Sequence, residues 1–473
     1  MSAESLATEP VVFPLRTGRG KIALHGGGFR HPGSFGRERF TAYADLTHLV
    51  TGARSIRIGT LRGVTAIPRS FFREPADADR LVRALFERVA QEPSGSVQLA
   101  RMAEIEETLR DPFTPWATRI LVLACLAVFG LEKWIGPIIH HAGFFSAALV
   151  GSGEPWRLLT ANLLHADAVH LGLNVLGLAA LGGLVERALG TARTSFVMGV
   201  SALGAMCGGW IARYELMVGA SGIVAGLLGA LVWLELRFPE RLPATWRIPR
   251  RLLWVVLVLQ ALLDISLPFI AAAAHLGGFI AGMLGAALCA GPGLRREPVA
   301  APLRLATALL VVVALTSIAL ATRIVSGGAA IERHAERLLR IDGLPAQLLN
   351  DAAWMIATGR KPSDTALAHA DALAERAVDA TERLDPNMLD TLAEVEFQMG
   401  HDDAALDTID EAIALAPDVA YFREQRRRFS GERAADDRPA PPDDSIRVAP
   451  PGAPEDEPYS PSIDDEENPG IAI

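Results

Sequence analysis

The feature that most constrains this chain is a series of seven apolar segments in its middle. They cover residues 117–137, 168–186, 194–213, 218–237, 251–269, 271–291 and 303–325. Each has close to the ~20 residues that a helix needs to cross ~30 Å of hydrocarbon. Hydrophobic residues make up 50% of the chain although both of its ends are polar. The sequence therefore predicts an all-α polytopic membrane protein that carries soluble regions at both ends.

The arginines between these segments predict the orientation of the helices, because positive charge stays on the cytoplasmic side. The links after the fourth and sixth segments hold Arg237, Arg241, Arg247, Arg250, Arg251, Arg295, Arg296 and Arg304. The connections on the other side hold only Arg157 and Arg213. The first thirty residues also lack the apolar core of a signal peptide. We expect the N-terminus and the arginine-rich links inside. An odd number of spans places the C-terminus outside, although Arg323 and further arginines after the seventh segment leave its side open.

Three polar residues share one depth in this arrangement. The second, fourth and sixth segments run from outside to inside, and His170, Ser221 and His275 each fall within their first few residues. Asn174 lies one helical turn after His170 on the same face. Ionisable side chains inside a membrane are costly and are candidates for functional roles. Their common depth, which chance placement would not favour, predicts a polar site near the outer face.

Ser221 is flanked by glycines, and this pattern alone is typical of close helix packing, since Gly222, Gly226 and Gly229 fall on one face. His275 changes the interpretation, because a serine nucleophile needs a base within hydrogen-bond reach. A Ser–His dyad is the simplest interpretation of the pair. Asp264, on the fifth segment, is the less favoured candidate for a group that orients the histidine.

With these residues the chain resembles the rhomboid intramembrane serine proteases. The resemblance covers roughly residues 115–291 as a six-helix core, and residues 303–325 add a seventh span. Four motifs carry it in order, namely Trp156-Arg157, then His165, His170 and Asn174, then Gly219 to Gly222 around Ser221, and finally His275 with Gly278 and Gly282. Glu186, near the end of the second segment, also fits the family.

The resemblance implies that Ser221 and His275 are catalytic. It assigns the oxyanion hole to the backbone N–H of Ser221 with the side chains of His170 and Asn174. Supporting roles fall to Gly219, Gly222, Gly278, Gly282, His165, Trp156, Arg157 and Glu186. No cofactor and no metal are implied. The implied substrates are transmembrane segments of other proteins, cleaved near their outer end within the lipid bilayer. The expected location is a bacterial inner membrane, with the active site facing outward.

One position departs from the family pattern. Rhomboids often carry an aromatic residue one turn after the nucleophile, where it stacks on the histidine, and Ala225 occupies that position here. Phe279, one turn after His275, is the candidate that could hold the ring instead.

Other functions fit the sequence less well. The α/β-hydrolase nucleophile elbow is absent, because Ile223 replaces its last glycine and no parallel-sheet pattern surrounds it. A zinc site at His165, His170 and His275 lacks a His-Glu-x-x-His motif and a carboxylate partner. A transporter is disfavoured because no inverted repeat or coupling carboxylate is evident. The main rival is a non-catalytic rhomboid relative that binds membrane segments in quality control or trafficking; such proteins typically lose the serine or the histidine, and this chain keeps both.

Residues 1–110 predict a small soluble α+β domain. Strand-like runs at residues 11–15, 21–24, 39–43, 55–59 and 64–68 are separated by turns. Asp77 to Asp79 would cap an amphipathic helix that places Leu81, Leu85, Val89 and Ala90 on one face. Several strands closed by one helix resemble a pleckstrin-homology-like domain.

Residues 344–429 predict a soluble helical-repeat domain. Ala393, Gly400, Ala405, Ala412 and Pro417 fit the tetratricopeptide pattern, and a looser copy precedes them. Such a module either binds a protein partner or acts as a structural cap. Residues 430–473 are rich in Pro, Asp and Glu, so this tail is predicted to be disordered.

Charge and cysteine content exclude further classes. The net charge of −9, with much of the acid in the tail, argues against nucleic acid as a partner. Cys125, Cys207 and Cys289 all fall in apolar segments, so neither a disulfide framework nor a C-x-x-C metal site is expected.

Overall fold

The computed structural model describes residues 10–16, 20–32, 38–136, 138–266, 271–326, 328–359 and 361–439. Its first part contains two antiparallel sheets, one of four strands in the order β1-β2-β3-β4 and one of three in the order β5-β6-β7. The strands are β1 (Val11–Pro14), β2 (Lys21–Leu24), β3 (Gly28–Pro32), β4 (Glu38–Ala42), β5 (Leu46–Thr51), β6 (Ser55–Thr60) and β7 (Gly63–Pro68). Strands β3 and β5 were missing from the sequence prediction.

Two helices follow the sheets, α1 (Pro75–Ala90) and α2 (Gly95–Arg110), whereas the sequence predicted only one. Helix α1 buries Leu81, Leu85 and Val89 as predicted, because residues four apart share a face. Two details of the prediction were wrong. The helix begins at Pro75, a residue favoured in the first turn, instead of after an Asp77 cap. Ala90 is exposed, since it lies one residue beyond the buried stripe.

Seven long helices lie at the predicted apolar segments. They are α3 (Trp116–Ile135), the span Ala168–Leu189, α9 (Thr191–Ile211), α10 (Ser221–Arg237), α11 (Arg250–Ser266), α12 (Ala272–Cys289) and α13 (Ala301–Val325). The second span consists of α7 (Ala168–Gly177) and α8 (Gly183–Leu189), joined by a π-helical turn. Within the described residues, Ala168–Leu189, α9, α12 and α13 are long and apolar enough to cross a membrane, whereas α10 and α11 have 17 residues each. Several apolar helices of this length make this a multi-pass membrane protein.

The connection between the first and second spans is folded into three short helices, α4 (Ile138–Gly143), α5 (Ala147–Gly151) and α6 (Arg157–Thr160). We refer to residues 138–164 as the outer loop, after the side predicted for it. Its backbone bonds to the segment before α10, because Phe145 and Met217 form an antiparallel bridge.

Ion pairs join the N-terminal domain to both arginine-rich links. Arg241 lies 3.4 Å from Glu104, and Arg296 pairs with Glu107 at 2.5 Å. Arg295 pairs with Asp111 at 3.1 Å. The N-terminal domain and the two links therefore lie at the same end of the helix bundle, as the distribution of arginines predicts.

The C-terminal part is a stack of helices. They are α14 (Ala329–Leu339), α15 (Ala346–Ala357), α16 (Asp364–Ala380), α17 (Pro386–Gln398), α18 (Asp402–Leu415) and α19 (Ala420–Phe429). One continuous apolar core joins this stack to the outer loop and to the segment before Ser221, with Phe144, Leu149 and Val218 packed in the same cluster as Leu338 and Leu348. The stack therefore covers the end of the bundle opposite the N-terminal domain.

Part of the predicted disordered tail packs on this stack. Arg438 bonds to Glu394 at 2.7 Å and lies over the ring of Trp354 at 5.8 Å. The prediction of disorder from residue 430 was wrong for these first residues, because arginines in this stretch find acidic and aromatic partners on the helices. Residues 440–473 lie outside the described residues.

Candidate active site

Ser221 is the first residue of α10. The preceding turn is fixed on the outer loop, since the Gly219 N–H donates to the Ala161 carbonyl oxygen at 2.9 Å. The first N–H groups of a helix have no intrahelical acceptor, and the helix dipole is positive there. The backbone around Ser221 can therefore stabilise negative charge that develops on a nearby oxygen.

Helices α10 and α12 are in backbone contact along a line of glycines. A Cβ added at Gly278 would lie 2.1 Å from the Gly222 carbonyl oxygen, and one at Gly282 would lie 2.1 Å from the Gly226 carbonyl oxygen. No side chain fits at such distances. The glycines therefore bring the start of α10 beside the first turn of α12, which carries His275.

Ser221 and His275 lie in the first turns of these two helices. Among the described residues no hydrogen bond joins Ser221 Oγ to His275, and His275 Nε2 is buried without a partner. Catalytic hydrogen bonds are often long in a free enzyme and tighten when substrate binds. The free Nε2 is the atom that a base would use.

The other ring nitrogen of His275 has a carboxylate partner that sequence reasoning had disfavoured. His275 Nδ1 lies 2.8 Å from Asp264 Oδ1, and both side chains are largely buried, at 11% and 15% exposure. Gln260 Nε2 donates to the same Asp264 oxygen at 2.8 Å and lies 3.2 Å from His275 Nδ1. Phe279 makes no ring contact with His275 in the described part of the chain. Asp264 was underrated because spacing alone does not reveal which face of α11 meets α12.

His170 and Asn174 lie against the backbone just before Ser221. A Cβ at Gly219 would lie 2.7 Å from His170 Cε1 and 3.7 Å from Asn174 Nδ2. Gly219 also has a φ of +118°, a conformation that side chains rarely adopt. Asn174 donates to the His170 carbonyl oxygen at 3.0 Å, within its own helix. The His165 ring stacks edge-on against His170 with centroids 5.2 Å apart.

Trp156 and Arg157 hold the outer loop together. Trp156 Nε1 donates to the Ala142 carbonyl oxygen at 3.1 Å. Arg157 is fully buried and donates to the carbonyl oxygens of His141 at 2.9 Å and Phe144 at 2.8 Å. Both residues therefore act on the conformation of the loop instead of contacting Ser221.

Glu186 binds the start of α3 at the end of the bundle nearest the N-terminal domain. Its carboxylate accepts from the backbone N–H groups of Ala117 and Thr118, both at 2.9 Å. It also accepts from the hydroxyls of Thr118 at 2.7 Å and Thr191 at 2.8 Å. Because Ala117 and Thr118 belong to the first turn of α3, a carboxylate there satisfies donors that the helix leaves open.

A buried ionic cluster links the outer loop to α14, and no pattern in the sequence predicted it. Glu154 binds Arg157 at 2.7 Å, His334 Nδ1 at 2.8 Å and Arg337 at 3.0 Å. The Nε2 atoms of His334 and His141 lie 2.8 Å apart. Burial alone would raise the pKa of Glu154, but Arg157 and His334 lower it well below its usual range. Burial, followed by the charges of His334 and Arg157, lowers the pKa of His141 well below its ordinary value.

Metal ligands do not converge in the part of the chain that the structure describes, since no group of three His, Cys, Asp or Glu side chains there could hold an ion. The polar groups near Ser221 instead comprise imidazoles, a carboxylate and amides. This set can transfer a proton and stabilise an oxyanion.

Comparison with known proteins gives a consistent result for the membrane core. A family model described as Rhomboid domain matches residues 152–292. The putative rhomboid protease YdcA of Bacillus subtilis is 31% identical over 142 residues, which are 30% of this chain and 70% of that protein. The rhomboid protease GluP of the same organism is 27% identical over 270 residues, 57% of this chain and 48% of that protein.

A plant relative, RHOMBOID-like protein 5 of Arabidopsis thaliana, is 31% identical over 154 residues. This chain spans 48% of the length of that protein and 48% of GluP, so it covers about half of these relatives. The matched residues include the outer-loop motif, the serine segment and the histidine segment described above. This chain belongs to the rhomboid family.

Proposed function

We propose that the chain is an intramembrane serine endopeptidase in which Ser221 attacks the substrate carbonyl and His275 acts as the base. The observation that carries the proposal is the glycine-lined contact of α10 with α12, which brings the two helices together at the Ser221 and His275 ends. Related proteins named rhomboid protease lend further support. In the proposed reaction the Ser221 proton passes to His275 Nε2 as Oγ bonds the carbonyl carbon.

The oxyanion would form beside the start of α10. The Ser221 backbone N–H, with the His170 and Asn174 side chains, is the donor set proposed for it. The position of His170 and Asn174 against Gly219, two residues before the nucleophile, supports this assignment. One such donor contributes roughly 10²–10³-fold to rate in other hydrolases. Asn174→Ala is therefore expected to slow the reaction without abolishing it.

The proposed substrates are transmembrane segments of other membrane proteins, reached from the outer end of the bundle in a bacterial inner membrane.

The N-terminal and C-terminal regions are proposed to be accessory domains of this membrane core. Two antiparallel sheets packed against α1 and α2 support the pleckstrin-homology-like interpretation of the N-terminal domain. The packed helix pairs α15/α16 and α17/α18 support the tetratricopeptide-like interpretation, with a protein partner as its ligand.

Labelling with a fluorophosphonate serine probe tests the activity. The purified protein in detergent should be labelled, whereas Ser221→Ala and His275→Ala should not. Ser317→Ala is the matched control, because the Ser317 hydroxyl lies in α13 and donates to the Val313 carbonyl oxygen at 2.8 Å. It should be labelled like the wild type. Labelling that persists in Ser221→Ala would contradict the assignment of the nucleophile.

The rival function is that of a non-catalytic rhomboid-like protein that binds membrane segments. The missing hydrogen bond between Ser221 and His275 favours it. A folded wild-type protein that is not labelled, yet captures a transmembrane peptide in nanodiscs, would favour this function over proteolysis.

A further inference from the structure

We infer that Asp264 is a positioning residue that fixes the tautomer of His275, so that a Ser–His–Asp triad replaces a dyad in this chain. The inference rests on the proposed function, since it assigns a partner to the proposed base. Asp264 and His275 belong to neighbouring helices, α11 and α12.

The geometry sets which nitrogen carries the proton. A carboxylate can only accept a hydrogen bond, so the 2.8 Å contact with Asp264 Oδ1 requires a proton on His275 Nδ1. In the neutral ring the lone pair is then on Nε2, which is the buried nitrogen without a partner. This is the tautomer that can accept the Ser221 proton. Asp264 thus presents the base in its reactive form.

The Gln260 amide would compete for His275 Nδ1 if Asp264 were absent. Its Nε2 amide is 2.8 Å from Asp264 Oδ1 and 3.2 Å from His275 Nδ1. While Asp264 is present, the amide donates to the carboxylate and holds it in place. Without Asp264 the same amide would donate to His275 Nδ1. The ring proton would then move to Nε2, and His275 could no longer act as a base toward Ser221.

The charge balance of the reaction also favours a carboxylate here. As Ser221 Oγ bonds to the substrate carbonyl carbon, the carbonyl electron pair moves to its oxygen and the hydroxyl proton moves to His275 Nε2. The Asp264 carboxylate stabilises the imidazolium through its contact with Nδ1. His275 then gives the proton to the leaving amine as the C–N bond breaks. Such assistance matters more in a site of low dielectric than in water.

Asp264 also replaces a missing support. Ala225 offers no ring to stack on His275, and Phe279 makes no ring contact with it among the described residues. The remainder of α11 presents mainly exposed apolar side chains, Leu252, Trp254, Val255, Val258, Leu259 and Leu262 among them. A carboxylate and an amide on such a helix are costly unless they are paired. Their pairing with His275 gives them a function in orienting the ring.

Two measurements on the full chain in nanodiscs test the inference separately from the activity. The first is ¹⁵N NMR of labelled histidines, with the His275 signals assigned by their loss in His275→Ala. The second is the rate of fluorophosphonate labelling. Wild type should show the Nδ1-protonated ring. Asp264→Ala should show the Nε2-protonated ring and label roughly 10²–10⁴-fold more slowly.

The double variant Asp264→Ala/Gln260→Leu is the sharpest comparison. It removes the competing amide, so part of the labelling rate and part of the Nδ1-protonated form should return. Asp264→Asn, of nearly the same size, provides a second test if Asp264→Ala does not fold. Its amide can also donate to Nδ1, so it should label slowly.

The outcomes are distinguishable. Asp264→Ala or Asp264→Asn with the wild-type tautomer and labelling rate would overturn the positioning role and leave the protease function intact. An unlabelled wild type whose tautomer still depends on Asp264 would overturn the protease function and retain the positioning role. Slower labelling without a change of tautomer, and without rescue by Gln260→Leu, would mean that Asp264 acts only in packing, which overturns the inference.

Discussion

Glu154 in the outer loop and His334 in α14 form a fully buried hydrogen bond, with Oε1 and Nδ1 2.8 Å apart. The two residues are 180 positions apart in the chain, and six of the seven long helices lie between them. Arg157, a residue of the rhomboid motif, binds the other oxygen of the same carboxylate. The structure of the outer loop is therefore coupled to the C-terminal stack.

Glu154→Gln should destabilise this junction strongly. The amide keeps the shape of the side chain but leaves the buried Arg157 charge without its counterion. Removal of one partner of a buried ion pair costs about 3–5 kcal/mol. Hydrogen exchange of α14 and thermal unfolding in detergent would measure the effect. The matched control is Glu336→Gln, on the same helix, whose pair with Arg340 is exposed and contributes about 0–1 kcal/mol. Equal effects of the two variants would contradict a structural role for the cluster.

Acidification should loosen the same junction. Burial is the main cause that lowers the pKa of both His141 and His334 in the folded protein. Glu154 raises these two pKa values, whereas Arg157 lowers both. Below the unfolded histidine pKa of about 6.5, the unfolded state therefore binds more protons than the folded state, and stability falls as the pH decreases. Above that pH both histidines are neutral in the folded and the unfolded state, so this loss of stability is absent.

Hydrogen exchange of α14 between pH 8 and pH 5 would measure this effect. Protection should fall as the pH drops below about 6.5. His141→Gln keeps a donor for His334 Nε2 but no longer titrates, so its pH dependence should be shallower. A wild type whose α14 protection is constant over this range would contradict the prediction.

Gly278→Ala should separate the two helices that carry Ser221 and His275. The added methyl would overlap the Gly222 carbonyl oxygen, so the backbones must move apart at a cost of roughly 1–3 kcal/mol. We expect slower fluorophosphonate labelling together with a lower unfolding temperature. Gly130→Ala is the matched control, because a Cβ at Gly130 in α3 has nothing within 4 Å. If the two variants behave alike, the glycine contact does not position the site.

The sequence was informative where a physical rule acts on consecutive residues. Apolar length predicted the seven long helices, four of which are long and apolar enough to cross a membrane among the described residues. The shared depth of His170, Ser221 and His275 predicted one site, and His170 does lie against Gly219, close to Ser221. Contacts between distant elements left no such signal. The pairing of Asp264 with His275 depends on the rotation of α11 about its axis, and the Glu154 cluster depends on how α14 returns to the outer loop. Neither relation follows from spacing along the chain.

The seventh span supplies a prediction about topology. A reporter fused after residue 439 should indicate the outer compartment, because the Glu154–His334 bond requires α14 to lie on the same side as the outer loop. A reporter fused after Pro298, before α13, should indicate the inside, since Arg295 and Arg296 at this end pair with the N-terminal domain. Protease accessibility of the two reporters in sealed cells would check the result. An inside signal from the longer fusion would mean that α13 does not cross the membrane, and the contact between α14 and the outer loop could then not form.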